Sequence, residues 1–124
     1  MNPQELKSLI EESLDSDKAI DIVAIELGEQ SGLADYMIVA SGTSSRHVAA
    51  LADKLKDRLE ARGVKGIRLE GMAQADWVAM DAGDIIVHIF RPEVREFYNI
   101  EKMWMTYQPH VVVSNPSGAE GARV

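Results

Sequence analysis

Apolar residues near the start of the chain repeat with the spacing of an α-helix. Asn2 can cap a helix, Pro3 suits its first position, and Glu5 stands where a capping box places an acidic side chain. The apolar side chains that follow fall on one stripe, which predicts an amphipathic helix. The members of this stripe are Leu6, Leu9, Ile10 and Leu14.

Two apolar runs after this helix are typical of β-strands. Ile20 to Leu27 is rich in β-branched residues, and Tyr36 to Ser41 is apolar on both faces, as in a central strand covered on both sides. A second helix is expected to follow and to end at Gly63, and residues 67–70 predict a short third strand. The apolar stripe of the second helix consists of Val48, Leu51, Ala52, Leu55 and Leu59.

Residues 77–81 and 84–90 predict a β-hairpin that turns at Ala82-Gly83. Because side chains alternate between the two faces of a strand, this turn sorts the hairpin into two sets. One face is aliphatic and is expected to lie in the core, whereas the other mixes aromatic and polar side chains. The aliphatic face carries Val78, Met80, Ile85, Val87 and Ile89, and the mixed face carries Trp77, Ala79, Asp81, Asp84, Ile86, His88 and Phe90.

The rest of the chain predicts one more helix and a tail. Pro92 opens the helix, and residues 1–107 are taken as one domain. Residues 108–124 contain proline, glycine and small residues without periodicity, which predicts a mobile tail, although His110 to Val113 could pair as an edge strand. The order of elements predicts an α/β fold with a mixed β-sheet of about five strands and flanking helices. The helical positions after Pro92 are Val94, Phe97, Tyr98, Glu101 and Met105.

Composition and charge narrow the function classes. The chain has 124 residues, of which 46% are hydrophobic, as in one globular domain. No apolar run approaches the roughly 18 residues of a membrane helix, and the lack of cysteine fits a reducing, cytoplasmic setting. The net charge of −7 disfavours a broad nucleic-acid-binding surface and fits a basic partner.

Three segments, together with Glu70-Gly71, are shared with a known family. They are residues 34–47 (ADYMIVASGTSSRH), residues 76–90 (DWVAMDAGDIIVHIF) and residues 95–104 (REFYNIEKMW). Each segment alone is a weak signal, but the three in this order in one short chain are specific. The chain resembles the Iojap-related ribosomal silencing factors over roughly residues 3 to 107.

This resemblance implies a nucleotidyltransferase-like fold without the catalytic acids, and therefore a protein that is not an enzyme and needs no cofactor. It implies a translational repressor that binds the large ribosomal subunit through the basic ribosomal protein numbered fourteen. The contact is expected to block joining of the small subunit sterically, and the free protein is expected to form a homodimer. Direct RNA contact is not expected to dominate. A large-subunit assembly or adaptor factor remains an alternative.

The loop between the second strand and the second helix is the part of the chain that most suggests an enzyme. Backbone N–H groups that open a helix can bind a phosphate, and a nucleotide-binding transferase using Ser41-Gly42 is a further alternative. Such an enzyme would need a pair of acidic residues on the third strand to bind magnesium. That strand carries a single acid, which counts against this alternative. Helix capping by Thr43 or Ser44 is the preferred interpretation. The candidate anion-binding residues are Gly42, Thr43, Ser44, Ser45 and Arg46.

The histidines do not predict a metal site, because His47, His88 and His110 lack metal-ligand spacing and the chain has no cysteine. His88, in the middle of the hairpin, is interpreted as a hydrogen-bonded structural residue. His47 is interpreted either as a structural residue bonded to backbone or as a contact for a partner or an anion.

The candidate partner-binding surface centres on Trp77, since tryptophan is enriched among the anchors of protein interfaces. Tyr98, Glu101 and Met105 are predicted to share one helical face and to supply the second part of the contact. Methionines are expected at the rim, and acids are expected to meet basic groups. An ordinary core or solvated role is the alternative for each residue. The set is Glu70, Asp76, Trp77, Met80, Asp81, Tyr98, Glu101, Met103 and Met105.

Overall fold

The computed structural model describes residues 1–28, 32, 34–102 and 113–114. In these residues the helices and strands follow the order that the hydrophobic pattern predicts, with one additional short strand at the end. In chain order the elements are α1 (Pro3–Ser16), β1 (Ile20–Glu26), β2 (Tyr36–Ser41), α2 (Ser45–Ala61), β3 (Arg68–Glu70), β4 (Trp77–Asp81), β5 (Ile85–Phe90), α3 (Pro92–Tyr98) and β6 (Val113–Ser114).

The first helix begins with the capping box that the sequence predicts. The Asn2 side chain accepts a hydrogen bond from the Glu5 backbone N–H at 2.8 Å, and the Glu5 carboxylate accepts one from the Asn2 N–H at 3.1 Å. Two backbone donors that the helix itself cannot satisfy are therefore paired at the start of α1. The apolar stripe of α1 is buried at Leu6, Ile10 and Leu14.

The strands form one mixed sheet in the order β3-β4-β5-β2-β1-β6. Strands β2 and β5 pair in parallel, with Tyr36 opposite Ile85 and Ser41 opposite Phe90, and the other pairs are antiparallel. The predicted α/β fold with a mixed sheet is thereby confirmed. The parallel pair lies in the middle of the sheet, as expected for strands that are covered on both faces.

The two long helices cover one face of the sheet. Contacts between α1 and α2 and between α2 and the β4–β5 hairpin enclose the larger core cluster. The aliphatic hairpin face predicted from the sequence lies in this core. All five of its residues are completely buried, namely Val78, Met80, Ile85, Val87 and Ile89.

The opposite face of the sheet carries a smaller core and the candidate site. Trp77 from β4, Val94 from α3 and Ile100 pack against its edge and are themselves partly exposed. Its buried members are Val23, Ile25, Leu27, Met37, Val39 and Phe90. Aromatic and polar side chains on the rest of this face are therefore closer to solvent than those beneath the helices.

The turn of the β4–β5 hairpin lies one residue later than predicted. Asp81 pairs with Ile86, and the Ala82 N–H donates to the Ile85 carbonyl at 3.0 Å, which leaves Gly83 and Asp84 as the turn residues. The prediction placed Asp84 opposite Asp81. The partner of Asp81 is thus shifted by two residues, from Asp84 to Ile86. Because side chains alternate between the two faces, a shift of two residues leaves every side chain on its predicted face.

Helix α3 is shorter than predicted and ends at Tyr98. Asn99 adopts the left-handed conformation (φ 50°, ψ 46°) that commonly ends a helix, and its N–H donates to the Arg95 carbonyl at 2.7 Å. Helical conformation resumes at residues 100–102. The helical spacing assumed from Tyr98 to Glu101 is therefore interrupted.

Part of the segment placed in a tail belongs to the sheet. Val113 pairs with Ile25 and Ser114 with Ala24, so β6 is an antiparallel edge strand beside β1. Val113 is the last residue of the edge strand that the sequence left open at His110 to Val113, and β6 gives the described sheet six strands. The other residues of 108–124 lie outside the described part of the chain, and their mobility stays a prediction.

Candidate partner-binding surface

An aromatic cluster forms where the β4–β5 hairpin meets α3. The indole of Trp77 lies 4.9 Å from the Phe90 ring and 4.9 Å from the Tyr98 ring, between centroids. Phe90 is completely buried, whereas 52% of Tyr98 is exposed. The cluster therefore runs from the smaller core to the surface, with Trp77 in the middle.

The polar edge of Trp77 is bound to His88. The indole Nε1–H donates to Nδ1 of His88 at 2.9 Å, and the two rings lie 5.8 Å apart. Because Nδ1 accepts, the neutral imidazole carries its proton on Nε2. Burial lowers the pKa of His88 from its ordinary value of 6.5 to about 4, so the ring is neutral at neutral pH. The predicted role of His88 as a hydrogen-bonded residue is confirmed.

We expect the stability of the domain to fall as the pH decreases from 6.5 towards about 4. His88 has a lowered pKa in the folded chain, so the unfolded chain takes up the proton first. The stabilisation is fully present above pH 6.5 and is lost as the pH falls towards the folded pKa. We expect a loss of about 1–3 kcal/mol, measured by urea unfolding at several pH values.

His88→Asn is the matched control for this pH dependence. Its amide oxygen can accept the Trp77 bond but cannot be protonated in this range, so the variant should lose less stability on acidification. An identical pH dependence in both proteins would contradict the prediction. Arg68, Glu70 and Asp81 lie on the same face and are present in both proteins, so the difference between the two pH profiles isolates the contribution of His88.

Asp76 holds the start of β4 in place. Its carboxylate accepts from the Ser45 hydroxyl at 3.1 Å and from the Arg91 guanidinium at 3.3 Å, and its carbonyl accepts from the Arg91 N–H at 3.0 Å. These bonds connect Ser45, the first residue of α2, and Arg91, the residue before α3, to Asp76, which precedes Trp77. Asp76 thus fixes the backbone next to Trp77, and its partly exposed carboxylate is paired with a guanidinium and a hydroxyl group of the same chain.

The loop before β4 approaches this strand closely at Gly71. Its φ is +91°, and a Cβ at this position would lie 2.2 Å from the Trp77 carbonyl oxygen. The Gly71 carbonyl accepts from the Ala75 N–H at 2.8 Å, which closes a tight loop. This loop, Trp77 and the α3 residues Val94 and Tyr98 line an open groove on the surface.

The outer surface of the cluster is aromatic. Phe97 is 79% exposed and packs edge-on against Tyr98, with ring centroids 5.0 Å apart. Large exposed aromatic side chains are enriched at protein interfaces. Neighbouring Phe97 and Tyr98 extend the apolar surface that begins at Trp77 in the smaller core.

Charged side chains lie farther along the same face of the sheet. Glu70 is exposed, and the structure gives it no ion pair within the described residues. Asp81 accepts from the Gly83 N–H at 2.9 Å and lies 3.5 Å from the Arg68 guanidinium. Both groups of this last pair are well exposed, so the pair contributes little to stability.

The structure corrects two of the predicted partner residues. Met80 is completely buried beneath the helices and cannot line the rim of a surface contact. Glu101 does not share a helical face with Tyr98, because the helix ends before it. Its carboxylate instead binds Arg95 in a bidentate pair at 2.8 and 3.1 Å, and Arg95 also donates to Ser41 at 2.9 Å. Met103 and Met105 lie outside the described residues.

The loop before α2 has the capping role preferred from the sequence. The Ser44 hydroxyl accepts from the His47 N–H at 3.1 Å, and the Thr43 N–H donates to Nδ1 of His47 at 2.9 Å. The other ring nitrogen of His47 lies 2.9 Å from the Asp17 carbonyl, so of the two roles left open for this histidine the structure shows the structural one. A Cβ at Gly42 would lie 3.0 Å from the Val48 backbone nitrogen.

Contacts within the chain explain the conformation of this loop. Gly42 permits close packing of the loop on α2, and Ser45 binds Asp76. Arg46 is exposed. The anion-binding role of Gly42, Thr43, Ser44, Ser45 and Arg46 stays a prediction that these contacts do not support.

Sequence reasoning missed several residues of the surface. It placed Trp77 and His88 on the same face of the hairpin, but it did not predict the hydrogen bond between them. It also missed the roles of Arg91 and Arg95, whose contacts cross between elements distant in sequence. No short-range pattern signals such contacts.

The described residues show neither a metal-binding cluster nor a membrane-spanning helix. Within residues 1–28, 32, 34–102 and 113–114, no group of three or more His, Cys, Asp or Glu side chains is arranged to hold a metal ion. Over the same ranges, no helix has the length and apolar character needed to cross a bilayer.

Known proteins are similar to this chain in sequence and in fold. A ribosomal silencing factor from Zymomonas mobilis is 53% identical over 103 residues, which cover 83% of this chain and 77% of that protein. A crystal structure of a protein from Chromobacterium violaceum superposes with a TM-score of 0.80 at 40% identity, covering 84% of this chain and 87% of that one.

A more distant relative comes from mouse. The protein named "Mitochondrial assembly of ribosomal large subunit protein 1" is 34% identical over 94 residues, which cover 73% of this chain and 41% of that protein. The family model described as "Ribosomal silencing factor during starvation" matches residues 1–123, beyond the limit of the motifs near residue 107. The chain therefore belongs to the family of ribosomal silencing factors, which are regulators of translation rather than enzymes.

Proposed function

We propose that this chain binds the large ribosomal subunit through its ribosomal protein numbered fourteen and blocks joining of the small subunit sterically. The observation that carries the proposal is the surface-exposed aromatic cluster of Trp77, Tyr98 and Phe97. Buried or half-buried aromatic anchors supply most of the free energy of many protein interfaces. This cluster has the composition of such an interface.

The charge of the surface favours a basic partner. Glu70 is exposed on the same face of the sheet as Trp77, and the chain as a whole has a net charge of −7. Opposite charge on a partner would accelerate association and set its orientation, while contributing little affinity for each exposed pair. The aromatic residues would then supply affinity, and the acids would supply steering.

Steric inhibition needs no catalytic chemistry. An interface of standard size buries about 1,600 Å² in total and can reach nanomolar affinity when its central anchors are well packed. A domain of this size held on the joining face of one subunit occupies space that the other subunit needs. We also propose that the free protein forms a homodimer and acts in the cytoplasm.

Sedimentation of purified ribosomal subunits tests this function. We expect the protein to travel with the large subunit, to be absent from the small-subunit fraction, and to reduce the joined-ribosome peak in a dose-dependent manner. Binding should weaken with rising salt, since charge steering is screened. Failure of the protein to bind the large subunit would contradict the proposal, as would binding that leaves joining unchanged.

A second function is favoured by the mouse relative, whose name refers to assembly of the large ribosomal subunit. The chain could act as a large-subunit assembly factor through the same surface. Binding to mature subunits without an effect on joining, combined with accumulation of incomplete large subunits in cells that lack the protein, would favour this alternative.

A further inference from the structure

The central anchor of the proposed interface, Trp77, is a restrained side chain. Trp77 is half-buried, and its indole lies against Phe90 on the core side and against Tyr98 towards solvent. Its one polar atom, Nε1, donates to His88. A side chain that is already held in its bound orientation loses less conformational freedom on binding, which increases affinity.

The position of His88 in the sheet explains why it can hold the indole. Residue 88 lies opposite Ala79, so His88 and Trp77 are diagonal neighbours on one face of the hairpin. Ala79 carries only a methyl group, which leaves room beside the imidazole for the larger ring. On the other side of β5, residue 88 is paired with Val39, which cannot compete for the bond.

The stacking contacts alone do not define the orientation of an indole. Aromatic rings pack in several offset and tilted arrangements of similar energy. The rings of Phe90 and Tyr98 are tilted by 31° and 44° relative to Trp77, so neither forms a parallel stack. The directional Nε1–H···Nδ1 bond distinguishes among these arrangements.

We propose that His88 is a positioning residue that fixes the orientation of Trp77 for binding to the partner. The proposal rests on the proposed function, because it assumes that Trp77 contacts the ribosome. His88 acts through Trp77. Its role requires the neutral ring, and burial supports this by keeping the pKa near 4.

Substitutions that separate the hydrogen bond from the volume of the ring test this role. His88→Asn places an amide oxygen near the position of Nδ1 and preserves an acceptor. His88→Leu fills a similar volume without an acceptor, and His88→Val is a second variant of this kind that suits a β-strand. Thermal unfolding identifies which variants remain folded.

Two readouts are measured on the same variants. The indole N–H signal of Trp77 in a ¹H–¹⁵N spectrum, assigned with Trp77→Phe, reports the hydrogen bond through its shift and its exchange with water. Equilibrium binding to purified large subunits reports function. We expect His88→Leu and His88→Val to lose the shifted, slowly exchanging signal and to bind about tenfold more weakly. His88→Asn should keep the signal and stay within about threefold of the original affinity.

Three results would overturn the inference. If the Leu or Val variant is folded, lacks the shifted signal and binds as tightly as the unaltered chain, then orientation by His88 is unimportant and the proposed function stands. If His88→Asn keeps the signal but binds as weakly as His88→Leu, the imidazole acts in some way other than through Trp77. If the unaltered chain binds no large subunit, both the inference and the proposed function fail.

Discussion

Replacement of Gly71 by alanine is expected to destabilise the domain by about 3 kcal/mol or more. Two costs combine at this position. The φ of +91° is unfavourable for any residue with a Cβ, and the new methyl group would lie 2.2 Å from the Trp77 carbonyl oxygen. That oxygen belongs to the backbone of β4 and cannot rotate away. Urea unfolding monitored by circular dichroism measures the change.

Gly63→Ala is a matched control for this substitution. Gly63 has the same φ of +91°, but a Cβ there would meet no atom within 4 Å. Its substitution should cost only the backbone strain, about 1–2 kcal/mol. The difference between the two variants isolates the contact with Trp77. Equal losses would show that β4 can move away from the loop at no cost, in contradiction of our prediction.

Replacement of Trp77 by alanine is expected to weaken binding to the large subunit by about thirtyfold or more, or about 2 kcal/mol. The variant removes the central member of the aromatic cluster and leaves Tyr98 without one of the two rings against which it packs. The domain should remain folded, because Trp77 lies at the edge of the smaller core and the larger core beneath the helices is untouched. Equilibrium binding to purified large subunits gives the measurement.

Two further variants show whether this loss is specific. Trp77→Phe retains an aromatic ring but lacks the N–H donor, and should bind with intermediate affinity. Lys56→Ala removes a partly exposed side chain that pairs with Glu60 on α2, on the other side of the sheet from Trp77, and should bind like the unaltered chain. If Trp77→Ala remains folded and binds normally, Trp77 is not an anchor and the aromatic surface must be reassigned.

Local patterns predicted most of the fold. Periodicity alone identified α1, α2 and the buried face of the β4–β5 hairpin, because side-chain direction follows directly from helix and strand geometry. The end of α3 was missed, since Asn99 can either continue a helix or end it in the left-handed conformation. The choice depends on contacts such as the Arg95–Glu101 pair, which bridges the break.

Fewer residues of the candidate site could be predicted from the sequence. Trp77 and Tyr98 could be named because large aromatic residues are rare in this chain and are enriched at interfaces. Their neighbours could not, because the contacts depend on how α3 packs across the sheet. Met80 shows the limit most clearly. Its place on the aliphatic face was correctly predicted. Its flexible side chain also suggested a place at the rim of the partner-binding surface, but Met80 is completely buried in the larger core and cannot lie there.

The parallel pairing of β2 with β5 has a consequence for how the domain forms during its own synthesis. Tyr36 is paired with Ile85, so the two central strands are separated by about fifty residues of chain. The β1–β2 pair can form early, but the sheet cannot close until β5 has left the exit tunnel. Until then β2 exposes a complete row of apolar side chains and unpaired backbone groups. Slow translation after β2 has left the exit tunnel but before β5 has done so should therefore prolong an aggregation-prone intermediate, whereas slow translation while β2 is still inside the tunnel should have little effect.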